Sequence, residues 1–170
     1  MEYLYLTCLL VSMGMLVWLK LFDVRKSVSQ YLNLIIVIIS SFGYYFLSIS
    51  RTLEEALYSQ IIGYVGGVFL PVFFFFLVLE ICHLDLSRFV KVVLVLGQCC
   101  IYGFVCTIGR NELFYKSVGM HLDNGMVVLD KVYGPLHMLA IGSMYLYLFL
   151  AFAVVIYALV KKKSVDVKTP

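Results

Sequence analysis

The chain has 170 residues, 63% of them hydrophobic and 14% charged, with a net charge of +3 and a mean hydropathy of +1.00. A soluble domain carries about 25% charged and about 45–50% apolar residues, so one buried core cannot absorb this composition. The 13 Tyr, 13 Phe and only 3 Pro exclude low complexity. No basic cluster precedes the last ten residues, which excludes a nucleic-acid-binding face.

A hydrocarbon layer about 30 Å thick is crossed by about 20 apolar residues in a helix. Five stretches reach that length, over about 3–22, 31–50, 58–80, 89–108 and 135–160. The fold class is therefore an all-α membrane protein, a polytopic bundle of five transmembrane helices. The third stretch is the most apolar, with Phe73 to Phe76, Leu77, Val78 and Leu79 in succession. Such a run favours insertion by roughly 3–5 kcal/mol, more than the roughly 2.5–3.5 kcal/mol cost of a central charge.

The first stretch follows Glu2, with no Lys or Arg before it and no convincing cleavage site, so it reads as an uncleaved anchor. If the spans alternate, Lys20, Arg25, Lys26, Arg88, Lys91, Lys161, Lys162, Lys163 and Lys168 fall on one side. Only Arg51, Arg110, Lys116 and Lys131 fall on the other. The positive-inside rule then places the amino terminus outside and the carboxyl terminus, with the basic tail 161–170, in the cytoplasm.

Short turns are expected at 51–57 outside and 81–88 inside. The segment 109–134 is the one sizeable outer piece. Within it, two β-prone runs flank Asn124-Gly125, a pair suited to a type I′ turn, which predicts a β-hairpin. An isolated hairpin is marginal in water, so it is expected to lie across the outer helix ends. Gly134-Pro135 opens the fifth span, with Pro in the first turn, where its missing N–H costs little.

Cys8, Cys82, Cys99, Cys100 and Cys106 follow no disulfide framework and no zinc spacing, and read as free thiols. Cys82, His83 and Asp85 share a turn but lack a fourth ligand, so no metal site is expected. No charge lies at mid-depth in any span, which argues against a proton-coupled pump. No nucleophile–base pair, phosphate loop or paired carboxylate is present, so no catalytic residues are assigned and no cofactor is implied.

Five residues are the candidates for ligand contact. Gln98 is the most costly mid-span group to leave unpaired, and an interhelical hydrogen bond is its simplest use. Tyr64 and Pro71 lie on the third span, where Pro71 frees a backbone carbonyl at mid-membrane. His137 lies at the outer end of the fifth span, and Tyr145 heads an aromatic stripe with Phe149 and Phe152. Gly63, Gly66 and Gly67 form a small-residue face for close helix packing, with dimerisation as the alternative.

Tyr64-Val65-Gly66-Gly67-Val68-Phe69-Leu70-Pro71, the Phe-rich run after it and Leu79-Glu80 resemble one helix of a bacterial family. That family is the seven-transmembrane amino-terminal sensor region of membrane histidine kinases, also fused to diguanylate cyclase modules. Glu112-Leu113-Phe114-Tyr115, the Asn-Gly hairpin and Tyr133-Gly134-Pro135-Leu136 are similar to the same region, in the same order, over residues 31–160. An Asn-Pro-x-His-like stretch frequent in that family is replaced here by Ile108-Gly109-Arg110-Asn111, so the role of its His does not carry over.

The resemblance implies two further spans and a cytoplasmic output domain after Lys163, which would make these the first five of seven helices. It implies a sensory input module in the bacterial cytoplasmic membrane, a homodimer in full-length form, with a small-molecule or lipid ligand. A transporter or channel subunit, oligomerising through the glycine face, is the competing reading. Internal repeats would favour it, and the early and late spans show no self-similarity.

Overall fold

In the computed structural model, residues 2–22, 27–123 and 126–166 are described. They form five helices and two strands, in the order α1 (Glu2–Phe22), α2 (Val28–Ile49), α3 (Leu53–Ile81), α4 (Arg88–Val105), β1 (Tyr115–Asp123), β2 (Met126–Tyr133) and α5 (His137–Asp166). All five helices are long and apolar enough to cross a membrane. Helix is the only local solution for these segments, because hydrocarbon offers no partner to an open backbone N–H or C=O.

The helix α3 is the axis of the bundle. It packs on α2, α4 and α5, while α1 packs on α2. Burial follows that arrangement: 44% of the α3 span is buried, against 11% for α1 and for α4. One apolar cluster joins Val72, Phe75, Phe76 and Leu79 to Tyr147 and Ala151 of α5. A second, nearer the hairpin, joins Val68, Val105, Ile108, Phe114 and Ala140. Outward-facing Trp18, Phe89 and Phe149 are each at least half exposed, as suits a surface solvated by lipid.

Local chemistry sets the helix ends. The turn expected over 51–57 is mostly helix, because Thr52 and Glu55 form a capping box that starts α3 at Leu53. Thr52 Oγ1 accepts from Glu55 N–H at 3.2 Å, and Glu55 Oε2 accepts from Thr52 N–H at 3.3 Å and from Arg51 N–H at 2.8 Å. At its other end α3 closes with His83 at φ 54°, where Leu84 N–H reaches Leu79 C=O at 2.9 Å. This is a Schellman-type stop made without glycine. The helix α3 runs unbroken through Pro71, which leaves the Gly67 carbonyl without its helical donor.

Close approach of α2 and α3 depends on glycines of both helices. A Cβ on Gly43 would lie 2.3 Å from Gly63 N, and one on Gly66 would lie 2.4 Å from Ser40 Oγ. Ser40 Oγ donates to the Gly63 carbonyl at 2.7 Å across the same interface. Gly63 and Gly66 thus pack inside the bundle, whereas Gly67 is exposed. Away from the hairpin, Glu80 receives hydrogen bonds from Ser29 Oγ at 2.6 Å and from Ser27 Oγ, tying the end of α3 to the start of α2.

The strands β1 and β2 pair antiparallel, from Tyr115 opposite Tyr133 to Asp123 opposite Met126, with an irregularity between Tyr115 and Ser117. The Asn124-Gly125 turn lies outside the described residues. Val127 and Leu129, on one face of β2, are buried with Ala56 of α3. That contact supplies the apolar support that a lone hairpin lacks. Pro135 stands in the turn just ahead of α5, rather than inside its first turn.

Candidate functional site

The hairpin is fastened to the bundle by an aromatic cluster with a polar interior. Phe114, fully buried, packs edge-on against Tyr64 of α3 and His137 of α5, at ring-centroid distances of 5.3 and 5.2 Å. Tyr133 stacks on His137 at 4.0 Å. Aromatic pairs of this kind contribute about 0.5–1.5 kcal/mol each beyond their buried area.

Three polar groups run through the cluster. The Tyr64 hydroxyl lies 2.5 Å from the Tyr115 hydroxyl and 3.2 Å from His137 Nε2. Tyr64 has one hydroxyl proton, so the chain has two directions. Either Tyr115 donates to Tyr64 and Tyr64 donates to an unprotonated Nε2, or Nε2–H donates to Tyr64 and Tyr64 donates to Tyr115. A change in the protonation of His137 Nε2 therefore reorders hydrogen bonds on three elements.

The backbone seats this chain by a close approach at Gly134. Gly134 N–H donates to the Phe114 carbonyl at 2.9 Å, and Leu136 N–H to the Leu113 carbonyl at 3.0 Å. A Cβ on Gly134 would lie 2.4 Å from the Leu113 carbonyl oxygen, so only glycine fits there. At the start of this segment, Asn111 Oδ1 accepts from Thr107 Oγ1 at 3.1 Å and from Leu113 N–H at 3.2 Å.

Lys131 completes the site. Its Nζ donates to Gln60 Oε1 at 2.9 Å and lies 5.9 Å from the centroid of the Tyr115 ring. Burial lowers the Lys131 pKa from its ordinary value. Burial also raises that of Tyr115, and its hydrogen bond to Tyr64 adds to the shift. Beside Tyr115 a cleft of about 320 Å³ opens at the surface, lined in part by Arg110, Asn111, Glu112 and Lys116. Tyr115, the end member of the hydroxyl chain, is itself 2% exposed and is among the residues that line this cleft.

Of the five candidates for ligand contact, the fold brings Tyr64 and His137 together and leaves the other three elsewhere. Pro71 is buried on α3 and lines a different cleft. Gln98 is 2% exposed within α4, with its Oε1 unpaired. Tyr145 is 63% exposed and shares an outward face of α5 with Phe149 and Phe152, as their spacing requires. Among the described residues no three His, Cys, Asp or Glu side chains converge on a metal position.

Sequence reasoning does not single out Gln60, Lys131 or Tyr133, although each carries a signal. Gln60 precedes Tyr64 by one helical turn and so shares its face. Lys131 has the same strand parity as the buried Val127 and Leu129, which turns it inward. Tyr133 precedes His137 by four residues, across the tight turn that Gly134 permits.

Five membrane-length helices, with a hairpin clamped over one end by a buried Tyr–Tyr–His chain, define a polytopic helical membrane protein with a structured extramembrane cap. The chain belongs to the family described as the N-terminal 7TM region of histidine kinase, whose model matches residues 3–169. No curated protein and no solved structure matches it.

Proposed function

We propose that this chain is the sensory input module of a bacterial signalling protein, and that the aromatic cluster under the hairpin is where it reads its stimulus. The carrying observation is the Tyr115–Tyr64–His137 chain, which links the hairpin, α3 and α5 through one shared hydroxyl. Protonation of His137, or a molecule in the adjoining cleft that competes for the Tyr115 hydroxyl, favours one hydrogen-bond order over the other. That difference biases the packing of α5 on α3. The helix α3 spans the whole bundle, from its cap at Thr52 to Glu80, where Ser27 and Ser29 hold it to α2. A shift of α3 at the hairpin end is therefore felt at the opposite end.

The charge distribution supports an orientation with the hairpin and amino terminus outside and the basic carboxyl end in the cytoplasm. The output module is then a cytoplasmic kinase or diguanylate cyclase, and this chain's part is receptive rather than catalytic.

The test is a strain carrying the full-length protein and a reporter of its output, with Tyr64→Phe, Tyr115→Phe and His137→Gln introduced singly. Each is expected to shift basal or stimulated output at least several-fold, at unchanged membrane abundance. Unchanged output in all three would overturn the proposed site. Solute flux through proteoliposomes containing this chain alone would instead favour a transport role.

A further inference from the structure

The central helix α3 keeps one side open. Gly67, Leu70, Phe74 and Leu77 line a cleft of about 680 Å³ that is bounded by α1, α2, α3 and α5. Their spacing of three, four and three residues is that of a heptad seam on one helix face. Elsewhere on α3, Val68, Val72, Phe75, Phe76 and Leu79 are buried, whereas Gly67 and Phe74 are exposed. From Gly66 to Leu77 the open side runs for about 17 Å, or about three turns.

Two polar groups along this cleft lack a partner. Pro71 denies the Gly67 carbonyl its helical donor, and the Ser40 hydroxyl of the facing α2 donates to the Gly63 carbonyl one turn earlier. The Tyr44 hydroxyl of α2 forms no hydrogen bond among the described residues, although its ring stacks on Tyr5 of α1 at 5.7 Å. A Cβ on Gly67 would meet only the Tyr64 ring, at 3.6 Å, so a second backbone has room to come close there.

A lipid tail satisfies neither group. A Pro-interrupted membrane helix has its freed backbone groups satisfied by neighbouring helices and by their hydroxyl or amide side chains. The family to which the chain belongs is described as seven-spanning, and the described residues hold five membrane-length helices. The first and last of those five, α1 and α5, flank the cleft.

We propose that this cleft is the docking groove for a further membrane-spanning helix of the same polypeptide, encoded after Pro170. The incoming helix lies along the seam of Gly67, Leu70, Phe74 and Leu77. At the level of Gly67 it carries a small residue, for close approach, and a hydroxyl or amide side chain that donates to the Gly67 carbonyl. Tyr44 lies near enough to Tyr115 to raise its pKa through charge, so the docked helix adjoins the hairpin cluster. The inference rests on the family assignment and not on the sensory reading.

The test uses the full-length protein in its native membrane, with p-benzoylphenylalanine in place of Phe74 in one preparation and of Phe89 in another. Phe89 is 77% exposed on α4, outside the cleft. After irradiation, mass spectrometry of the digest is expected to join position 74 to an apolar segment encoded after Pro170, within one polypeptide. The yield should exceed that from position 89 to the same segment at least fivefold. Gly67→Leu fills the seam and should cut the yield at least fivefold at unchanged membrane abundance. Gly97→Leu, on α4, where a Cβ meets nothing within 4 Å, should leave it within twofold.

Adducts with lipid, with a second copy or only with residues before Pro170 would overturn the assignment, as would a polypeptide with no span after Pro170. So would an unchanged yield in Gly67→Leu.

Discussion

The hydroxyl of Tyr64, three turns into the central helix α3, lies 2.5 Å from the hydroxyl of Tyr115, at the start of the hairpin. Fifty-one residues separate them in sequence, and this bond with the contact to His137 makes one polar chain inside an aromatic cluster. The cap and the bundle are therefore coupled through a few groups, each of which can be removed singly.

Tyr64→Phe removes the shared hydroxyl and leaves both neighbours short of a partner. It is expected to lower stability by about 1–3 kcal/mol, the cost of unsatisfied buried groups. In a double-mutant cycle with Tyr115→Phe, an interaction of about 0.5–3 kcal/mol is expected in unfolding of the purified protein. Strictly additive losses would show that the two hydroxyls do not act together.

The pH dependence near the alkaline end has a sign set by two groups. Lys131 has a lowered folded pKa, so the unfolded chain binds its proton more tightly and stability rises as pH climbs through the interval up to the ordinary value of 10.5. Tyr115 has a raised folded pKa, so above its ordinary value of 10.0 the unfolded chain ionises first and stability falls. Thermal unfolding at stepped pH should show a rise and then a decline. Lys131→Met should flatten the rise, and Tyr115→Phe should weaken the decline.

Glycine substitutions should divide sharply by position. Gly43→Ala places a Cβ against the α3 backbone at Gly63, and Gly134→Ala places one against two carbonyls, so each is expected to cost about 1–3 kcal/mol. Gly14→Ala and Gly142→Ala meet nothing within 4 Å and should be neutral or slightly stabilising. Melting temperatures of the four variants in one detergent would check the division.

Ser29→Ala removes a bond to Glu80 at the end of α3 away from the hairpin. A loss of about 1–3 kcal/mol is expected, as for a hydrogen bond to a charged group. In the full-length protein it should alter output with little effect at the hairpin, which amide exchange of β1 and β2 would establish.

Much of the helical frame was legible from composition. Runs of about 20 apolar residues have no other structure open to them in a bilayer, so the five helices follow from length and hydropathy. Their ends were less legible, because caps outweigh hydropathy there. Thr52 and Glu55 start α3 inside what reads as a polar turn. Of the candidate site, Tyr64 and His137 stood out as polar groups in or beside apolar spans. Lys131 and Gln60 did not stand out, because their signals, strand parity and helical spacing, take effect only once the hairpin is docked.

The five membrane-length helices and the two β-prone runs are thus properties of the chain alone, decided by local periodicity and by the cost of an unpaired backbone in hydrocarbon. Which polar groups meet was decided by tertiary packing. His137 is 73 residues from Tyr64, and they touch because Gly134 lets the chain pass against Leu113 and aim α5 at α3. Gly43 gained its meaning in the same way, since only the facing backbone of Gly63 forbids a side chain there.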